Sequence, residues 1–393
     1  MSTPQLLAGT RVLDLSRVLA GPWAGQLLAD YGADVIKVER PDLGDDTRAW
    51  GPPWWGDAKD RMAAYYVSAN RGKRSIAIDI ASDAGAALVR QLAAQADVLL
   101  ENYKVGQLAR YGLDYASLSA LNPRLVYCSI TGYGQDGPYA PMAGYDFAIQ
   151  ATGGLMSVTG EKDGTPGSEP QKVGVAVADL FTGVYSTTAI LAALIERGRT
   201  GQGRHIDAAL LDTQVAMLAN QACNYLVGGK TPKRMGNAHL NVVPYQVLAT
   251  RDGHVVLAVG NDGQFSRFCK LAGHEAVSSD PRFGDNAGRI EHREVLMSMI
   301  SDWMRERTTA EWTALLEPHA VPCAPILELP QVFVHPQVVH RGMRIDHEGM
   351  PMVATPMRFD GQRPCAALPP PQLDEHGDAI RQALAHGPGW PQA

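Results

Sequence analysis

Cysteine is scarce in this chain: five in 393 residues, at Cys128, Cys223, Cys269, Cys323 and Cys365, odd in number and widely spaced. No CxxC pair occurs, so the pattern supports neither a zinc ribbon nor a disulfide framework. That usage suits a reducing, cytoplasmic compartment. The amino terminus lacks the basic start and apolar core of a secretory signal, and no apolar run reads as long enough to cross a bilayer. Positive charge is not in excess, with 35 Lys and Arg against 41 Asp and Glu, which argues against a general nucleic-acid partner. The eleven histidines are scattered and no HExxH cluster is present, so no metal site is expected. His239 is the most ligand-like of them, but a lone histidine favours a structural role. There is no GxSxG elbow for a serine hydrolase and no GxGxxG turn after a strand for a nicotinamide enzyme. Internal repeats and low-complexity segments are also missing.

What is present is a strand–helix rhythm. Residues 11–15 (RVLDL) read as a strand, the following SRVLAGPWAGQLLADYGA as a turn and helix, and residues 34–39 (DVIKVE) as a second strand. This spacing predicts a βαβ unit with parallel strands. Residues 41–60, rich in Pro, Gly, Asp and Trp, read as a surface loop with lid character. Strands at 75–80, 97–100 and 125–130, with intervening helices, extend the rhythm to a doubly wound sheet. Ligands on such sheets sit at the carboxyl ends of the strands. The links there carry Arg17, Arg40, Asn70, Arg71, Lys73, Arg74, Asn102, Lys104, Arg110 and Tyr133. Each alone reads as solvated surface; together they suggest an anionic ligand.

Residues 173–196 organise the rest. Leu180, Val184, Thr187, Leu191 and Leu194 mark one face of a helix. Asp179 then falls at the helix amino terminus, where free N–H groups and the dipole favour a carboxylate with a low pKa. One reading makes it an N-cap; the other makes it a placed nucleophile. Asp146 reads as the N-cap of a shorter helix ending at Gly153 and Gly154. A long helix is predicted over 210–227.

Composition shifts near residue 228. A hairpin over 245–250 and 254–259, then helices near 264–272, 289–305 and 309–318, predict a small α+β domain. Gly260 and Gly263 in VGNDGQF read as a plain turn, or as a loop offering backbone N–H groups to an acyl group. From residue 323 the chain is proline-rich, with short strands near 344 and 352 and a final helix over 373–385.

Taken in order, RVLDLSRVLAGPWAGQLLADYGADVIKVERP, NRGKRSIAIDI, DVLLENYKVGQLARYGL, NPRLVYCSITGYGQDGPY and VADLFTGVYSTTAILAAL resemble the class III coenzyme A transferases. The resemblance covers nearly the whole chain. It implies that Asp179 is the nucleophile and that Gly260, Gly263 and Gln264 form the catalytic glycine loop, less glycine-rich here because of Asn261 and Asp262. It implies coenzyme A contacts at Val18, Ala20, Arg40, Lys73, Asn102, Arg110 and Tyr133. ANQACNYLVGGKTPKRMGNAHLNVVPYQ and VGNDGQFSRFC are similar to the succinyl-CoA:glutarate branch, which implies succinyl-CoA as donor and a short dicarboxylic acid as acceptor. Arg17, Lys233, Arg234 and His239 are the candidate cations for the acceptor's distal carboxylate.

The resemblance also implies an architecture. A Rossmann-like doubly wound large domain is expected from residues 1–227 with 326–393, a small α+β domain from 228–325, and an interlocked homodimer. Coenzyme A thioesters are expected as substrates, with no tightly bound cofactor, no metal and no membrane partner. Two alternatives stand beside transfer. One is an α-methylacyl-CoA racemase, whose GHD histidine is replaced here by Tyr145, a poor base at neutral pH. The other is a coenzyme A binder without catalysis.

Overall fold

A computed structural model describes residues 4–58, 60–387 and 389–391. The chain divides into two units. The first comprises residues 1–155, 172–228 and 336–393; the second comprises 156–171 and 229–335.

The first unit is built on a six-stranded parallel sheet. Its strands are β1 (Arg11–Asp14), β2 (Asp34–Glu39), β3 (Lys73–Ala77), β4 (Val98–Glu101), β5 (Val126–Thr131) and β6 (His205–Ala209). In space they lie in the order β3-β2-β1-β4-β5-β6. The order reverses between β1 and β4, the switch point at which doubly wound sheets hold ligands. Short runs such as Val12-Leu13 and Val98-Leu99-Leu100 are buried because helices cover both faces of a parallel sheet. Val12, Val35, Leu100 and Cys128 face one core; Leu13, Ile36, Leu99 and Tyr127 face the other. Ile380 and Trp390 complete the second, so both ends of the chain build this unit.

Five helices matter to the site: α1 (Ala20–Asp30), α2 (Asp83–Gln95), α3 (Asp146–Thr152), α4 (Val177–Thr200) and α5 (Leu210–Met217). The predicted helix over 210–227 is broken, because Ala219 adopts a φ of +43° and starts a new segment, Ala219–Gly228. α4 has 24 residues, and its most apolar 18-residue window reaches a mean hydropathy of 1.5, so by length and composition alone it could cross a membrane, which corrects the expectation that no apolar run is long enough. Its buried face, including Ala178, Gly183, Ile190 and Ala193, belongs to the unit's core, and α4 packs on α1 and the sheet.

β3 starts earlier than predicted, and that places Lys73 and Arg74 in a strand instead of a turn. Both are buried, as are Asp14, Lys37, Glu39 and Asp45. Such charges require partners, and each has one. Lys73 Nζ lies 2.9 Å from Asp14 Oδ2, Lys37 Nζ 2.9 Å from Asp45 Oδ2, and Arg74 Nη2 2.6 Å from Asp34 Oδ2. The loop over 41–60 is tied down by this layer. Asp45 and Thr47 are buried, Asp46–Ala49 is a short helical turn, and Trp54–Trp55 pairs with Met62–Ala63.

The second unit holds an antiparallel three-stranded sheet of β7 (Tyr245–Ala249), β8 (His254–Ala258) and β9 (Cys323–Pro325), in the order β9-β8-β7. The predicted hairpin is present. α6 (Asp262–Leu271) follows β8. The helix predicted near 289–305 is two, Asn286–Glu291 and Arg293–Met304. Phe265, Phe268, Ile300, Trp303 and Trp312 fill a core of its own.

Candidate active site

A cavity of about 230 Å³ opens at the switch point. Its wall comes from the links after parallel strands: Arg17, Val18, Leu19 and Ala20 after β1, Asn102 to Val105 after β4, and Gly132 after β5. Asp179 from the first turn of α4 and Leu210 from the start of α5 complete it.

The turn between β1 and α1 is held from three sides. Asn102 Oδ1 accepts from the Arg17 N–H at 2.9 Å, and Asn102 Nδ2 donates to the Arg17 carbonyl at 2.6 Å. Lys37 Nζ donates to the Ser16 carbonyl at 2.8 Å. The Val18 N–H donates to both carboxylate oxygens of Asp45, at 3.2 and 3.3 Å. Burial alone would raise Asp45, but Lys37 and the Thr47 hydrogen bonds hold its carboxyl down at about 2. Val18 has a φ of +73°, a left-handed backbone that a β-branched residue adopts only when its surroundings force it. The strain lies in the cavity wall.

Asp179 is the third residue of α4 and caps nothing; the N-cap position is Ala176. Among the described residues its carboxylate accepts no hydrogen bond and makes no ion pair. The cap comes from another helix. Asp146 Oδ1 accepts from the Ala178 N–H at 2.8 Å and lies 3.4 Å from the Asp179 nitrogen. This corrects the reading of Asp146 as the cap of its own helix, where Tyr145 holds the N-cap position without a side-chain bond. It also corrects the expectation of a low pKa for Asp179. Burial, and then the negative charge of Asp146, push the Asp179 carboxyl up to about 7. The helix dipole does not outweigh two acidic groups in one partly dry pocket.

The remaining residues singled out in the sequence fall into four groups. Val18, Ala20 and Asn102 line the cavity with Asp179, as does Arg17, whose guanidinium pairs with Asp46 at 2.9 Å and lies over the Tyr103 ring. Arg40 shares Asp46 with Arg17 at 2.6 Å, Arg110 is exposed, and Tyr133 is half-buried against Tyr139; none of these three lines the cavity.

Lys73 is different. Its ammonium is fully enclosed, donating to Asp14 Oδ2, the Pro22 carbonyl and Asn70 Oδ1 at 2.9–3.0 Å. Burial lowers its pKa to about 8 against the pull of Asp14. A direct coenzyme A contact at Lys73 does not fit that geometry. Arg71 and Arg74 are likewise committed, to Asp30 and Asp34. The basic convergence expected from topology therefore shrinks, because Asp14, Asp30 and Asp34 neutralise three of its seven cations internally.

Gly260, Gly263 and Gln264 lie in the second unit, at the start of α6. Asn261 Oδ1 caps the Gln264 N–H at 2.9 Å, and Gln264 Oε1 accepts from the Gly260 N–H at 2.7 Å. Lys233, Arg234 and His239 are also in the second unit, where Arg234 pairs with Asp163 and His239 packs on Tyr245. The sequence reading missed Asp45 and the part that Asp146 plays in the site. Asp45 was legible in principle from the Asp-x-Thr turn it closes, whereas Asp146 acts across helices and leaves no local signal.

Comparison with known proteins gives the class of chemistry. Residues 7–377 match CoA-transferase family III. The chain is 52% identical to a succinate–glutarate CoA-transferase of Agrobacterium fabrum, over 94% of this chain and 93% of that one. It is 42% identical to the human succinyl-CoA:glutarate CoA-transferase, over 96% of this chain and 85% of the relative. Among solved structures it resembles a CAIB/BAIF family protein from Brucella suis, with 51% identity, a TM-score of 0.86, and coverage of 98% of this chain and all of that one. A parallel sheet with a carboxylate at its switch point, matched along nearly its whole length, makes this chain a member of CoA-transferase family III.

Proposed function

We propose that the protein moves coenzyme A from succinyl-CoA to a short dicarboxylic acid such as glutarate, with Asp179 as the nucleophile. The observation that carries this reading is the Asp179 carboxylate itself, partnerless and facing the switch-point cavity. The similarity to relatives named for succinate, succinyl-CoA and glutarate supports the choice of substrates.

An Asp179 oxygen attacks the thioester carbonyl carbon and expels the coenzyme A thiolate, leaving a mixed anhydride. The thiolate attacks the Asp179 carbonyl of that anhydride and releases the donor as a free carboxylate, leaving an aspartyl-CoA thioester. The acceptor carboxylate then attacks this thioester and expels the thiolate again. The thiolate attacks the acceptor carbonyl of the second anhydride, which frees Asp179 and the product thioester. Covalent catalysis of this kind keeps the thioester energy from being lost to water. Backbone N–H groups beside Asp179 serve the oxyanions. Arg17 holds the acceptor's distal carboxylate, since it is the one of the four candidate cations that lines the cavity.

The working form is an interlocked homodimer of two-domain subunits. Phe181, Val184 and Tyr185 on α4 are about half exposed, and Leu226 and Val227 are 76% and 90% exposed. Exposed apolar side chains of this size call for a partner.

The test is direct. Purified protein is mixed with succinyl-CoA and a panel of dicarboxylic acids, and new acyl-CoA masses are sought. New esters with equimolar succinate establish the transfer, and peptide mapping of a quenched reaction should find coenzyme A on the peptide containing Asp179. Intact succinyl-CoA with every acid overturns the donor, and an unlabelled Asp179 peptide in an active reaction overturns the nucleophile.

A further inference from the structure

Two acidic side chains from different helices meet at the amino terminus of α4. Asp146 is the first residue of α3 and Asp179 the third of α4. Asp146 is itself held. Gln150, fully buried one turn along α3, donates from Nε2 to Asp146 Oδ2 at 2.6 Å. The other end of the same amide accepts from the Val173 N–H at 2.9 Å, in the segment that leads into α4. Asp146 Oδ1 then accepts from the Ala178 N–H. Gln150 and Asp146 thus clamp the approach to α4 at two points, residues 173 and 178, five residues apart in sequence.

We propose that Asp146 is a positioning residue that acts through Asp179, holding the first turn of α4 in place and governing the ionisation of the carboxylate there. The inference rests on the reading of Asp179 as the nucleophile. A cap from Ser or Asn would satisfy the Ala178 N–H as well as Asp does. Only an acidic residue adds a negative charge beside a carboxylate that must itself be ionised to attack.

The charged and titratable groups around the pair are few. Tyr65, from the helix Ala64–Ala69, is raised by burial and then by the charges of Asp179, Asp146 and Asp45. Lys172 lines a neighbouring cavity with Tyr65 and Asp146, and its ammonium donates to the Val173 carbonyl at 3.2 Å. Arg17, Asp46, Lys104 and Tyr145 share the main cavity with Asp179. None of the cations is bonded to Asp179, so Asp146 is the charge that acts on it most directly, in the same sense as burial.

Such an arrangement has a chemical use. A carboxylate with a pKa near neutrality is a stronger nucleophile when ionised than one near 4, and about half of it is still ionised at neutral pH.

The experiment follows the proton on Asp179 by carbon NMR of full-length protein labelled in aspartate, with the signal assigned by its loss in Asp179→Asn. In the unaltered protein the signal should titrate near neutral pH. Asp146→Asn keeps the capping oxygen and removes the charge, so the midpoint should fall by about half a pH unit or more. The acid limb of kcat should move with it, and Asp146→Glu should restore both toward the starting values. Asp146→Ala, which also removes the cap, should lower kcat by about tenfold or more with little change in KM for the acyl-CoA.

An unchanged Asp179 midpoint in Asp146→Asn overturns the proposal. Should Asp146→Asn not fold, a midpoint in the ordinary carboxylate range for the unaltered protein overturns it equally. If Asp179→Asn retains transfer, the nucleophile reading fails instead, and the NMR titration still decides whether Asp146 governs Asp179.

Discussion

Gly183 packs directly on the backbone of Ala20. A Cβ at residue 183 would lie 2.7 Å from the Ala20 carbonyl oxygen and 3.0 Å from Trp23 Cδ1. This contact is where α4 crosses α1, one helical turn below Asp179. Ala20 also lines the cavity, so one close approach sets the distance between the nucleophile's helix and the cavity wall. Gly183→Ala should separate the helices, because the obstructing atom is a backbone carbonyl that no rotamer change can move. We expect a loss of about 1–3 kcal/mol in urea unfolding. A fall in kcat for the folded protein should exceed any change in overall structure seen by circular dichroism. Unaltered stability would show that the helices are not in contact as described.

Lys73→Ala separates two roles for that side chain. If the ammonium is a structural ion, its removal leaves Asp14 buried and short of its nearest counter-charge. Burial alone would raise Asp14, and Lys73, Lys37 and Ser16 together hold it below the usual carboxylate range. Breaking such a pair costs about 3–5 kcal/mol. The expected outcome is a large drop in the urea midpoint, with the folded fraction binding coenzyme A at near-normal affinity. A stable variant with a sharply raised KM for acyl-CoA would return Lys73 to the binding site.

The raised pKa of Asp179 has a stability consequence of its own. A carboxyl whose folded-state value is raised to about 7 favours the folded state in its protonated form. Its contribution is complete below the unfolded value near 4 and is lost as pH rises through 7. Asp179→Asn, which cannot ionise, should therefore match the parent near pH 4. At pH 8 it should be more stable than the parent by roughly 1–2 kcal/mol, the figure being reduced because the side chain is partly solvated. Urea titrations at the two pH values measure this. A variant less stable than the parent at pH 8 would mean that the ionised carboxylate is favourably held, as a cap would be. The same variant should have no transferase activity.

Much of the site could be read along the chain because its parts are local. The strand–turn–helix from Arg11 to Asp30 announces itself by an apolar run, a turn and a helical period, while Val18 and Ala20 within it are singled out only by the family resemblance. Asp179 is visible as an acidic interruption between an apolar run and a helical face. The hairpin around Arg251-Asp252-Gly253 is equally local. Lys73 misled for the opposite reason. A basic turn and a basic strand have the same composition, and only the register of β3 against β2, with Asp14 beyond, tells them apart.

By itself the sequence determined the succession of parallel strands, the turn that frames the cavity and the acidic residue on α4, because hydrophobic period and turn chemistry act over a few residues. The tertiary structure alone decided which charges face the cavity and which are sealed beneath it, that Val18 is strained, and that the cap on α4 comes from Asp146. It also decided that burial and Asp146 push the Asp179 carboxyl up instead of the helix terminus holding it down. The physical reason is that desolvation and Coulomb interactions depend on distances through space. Residues 14 and 73, 18 and 45, or 146 and 179 acquire those distances only when the sheet and its helices close around them.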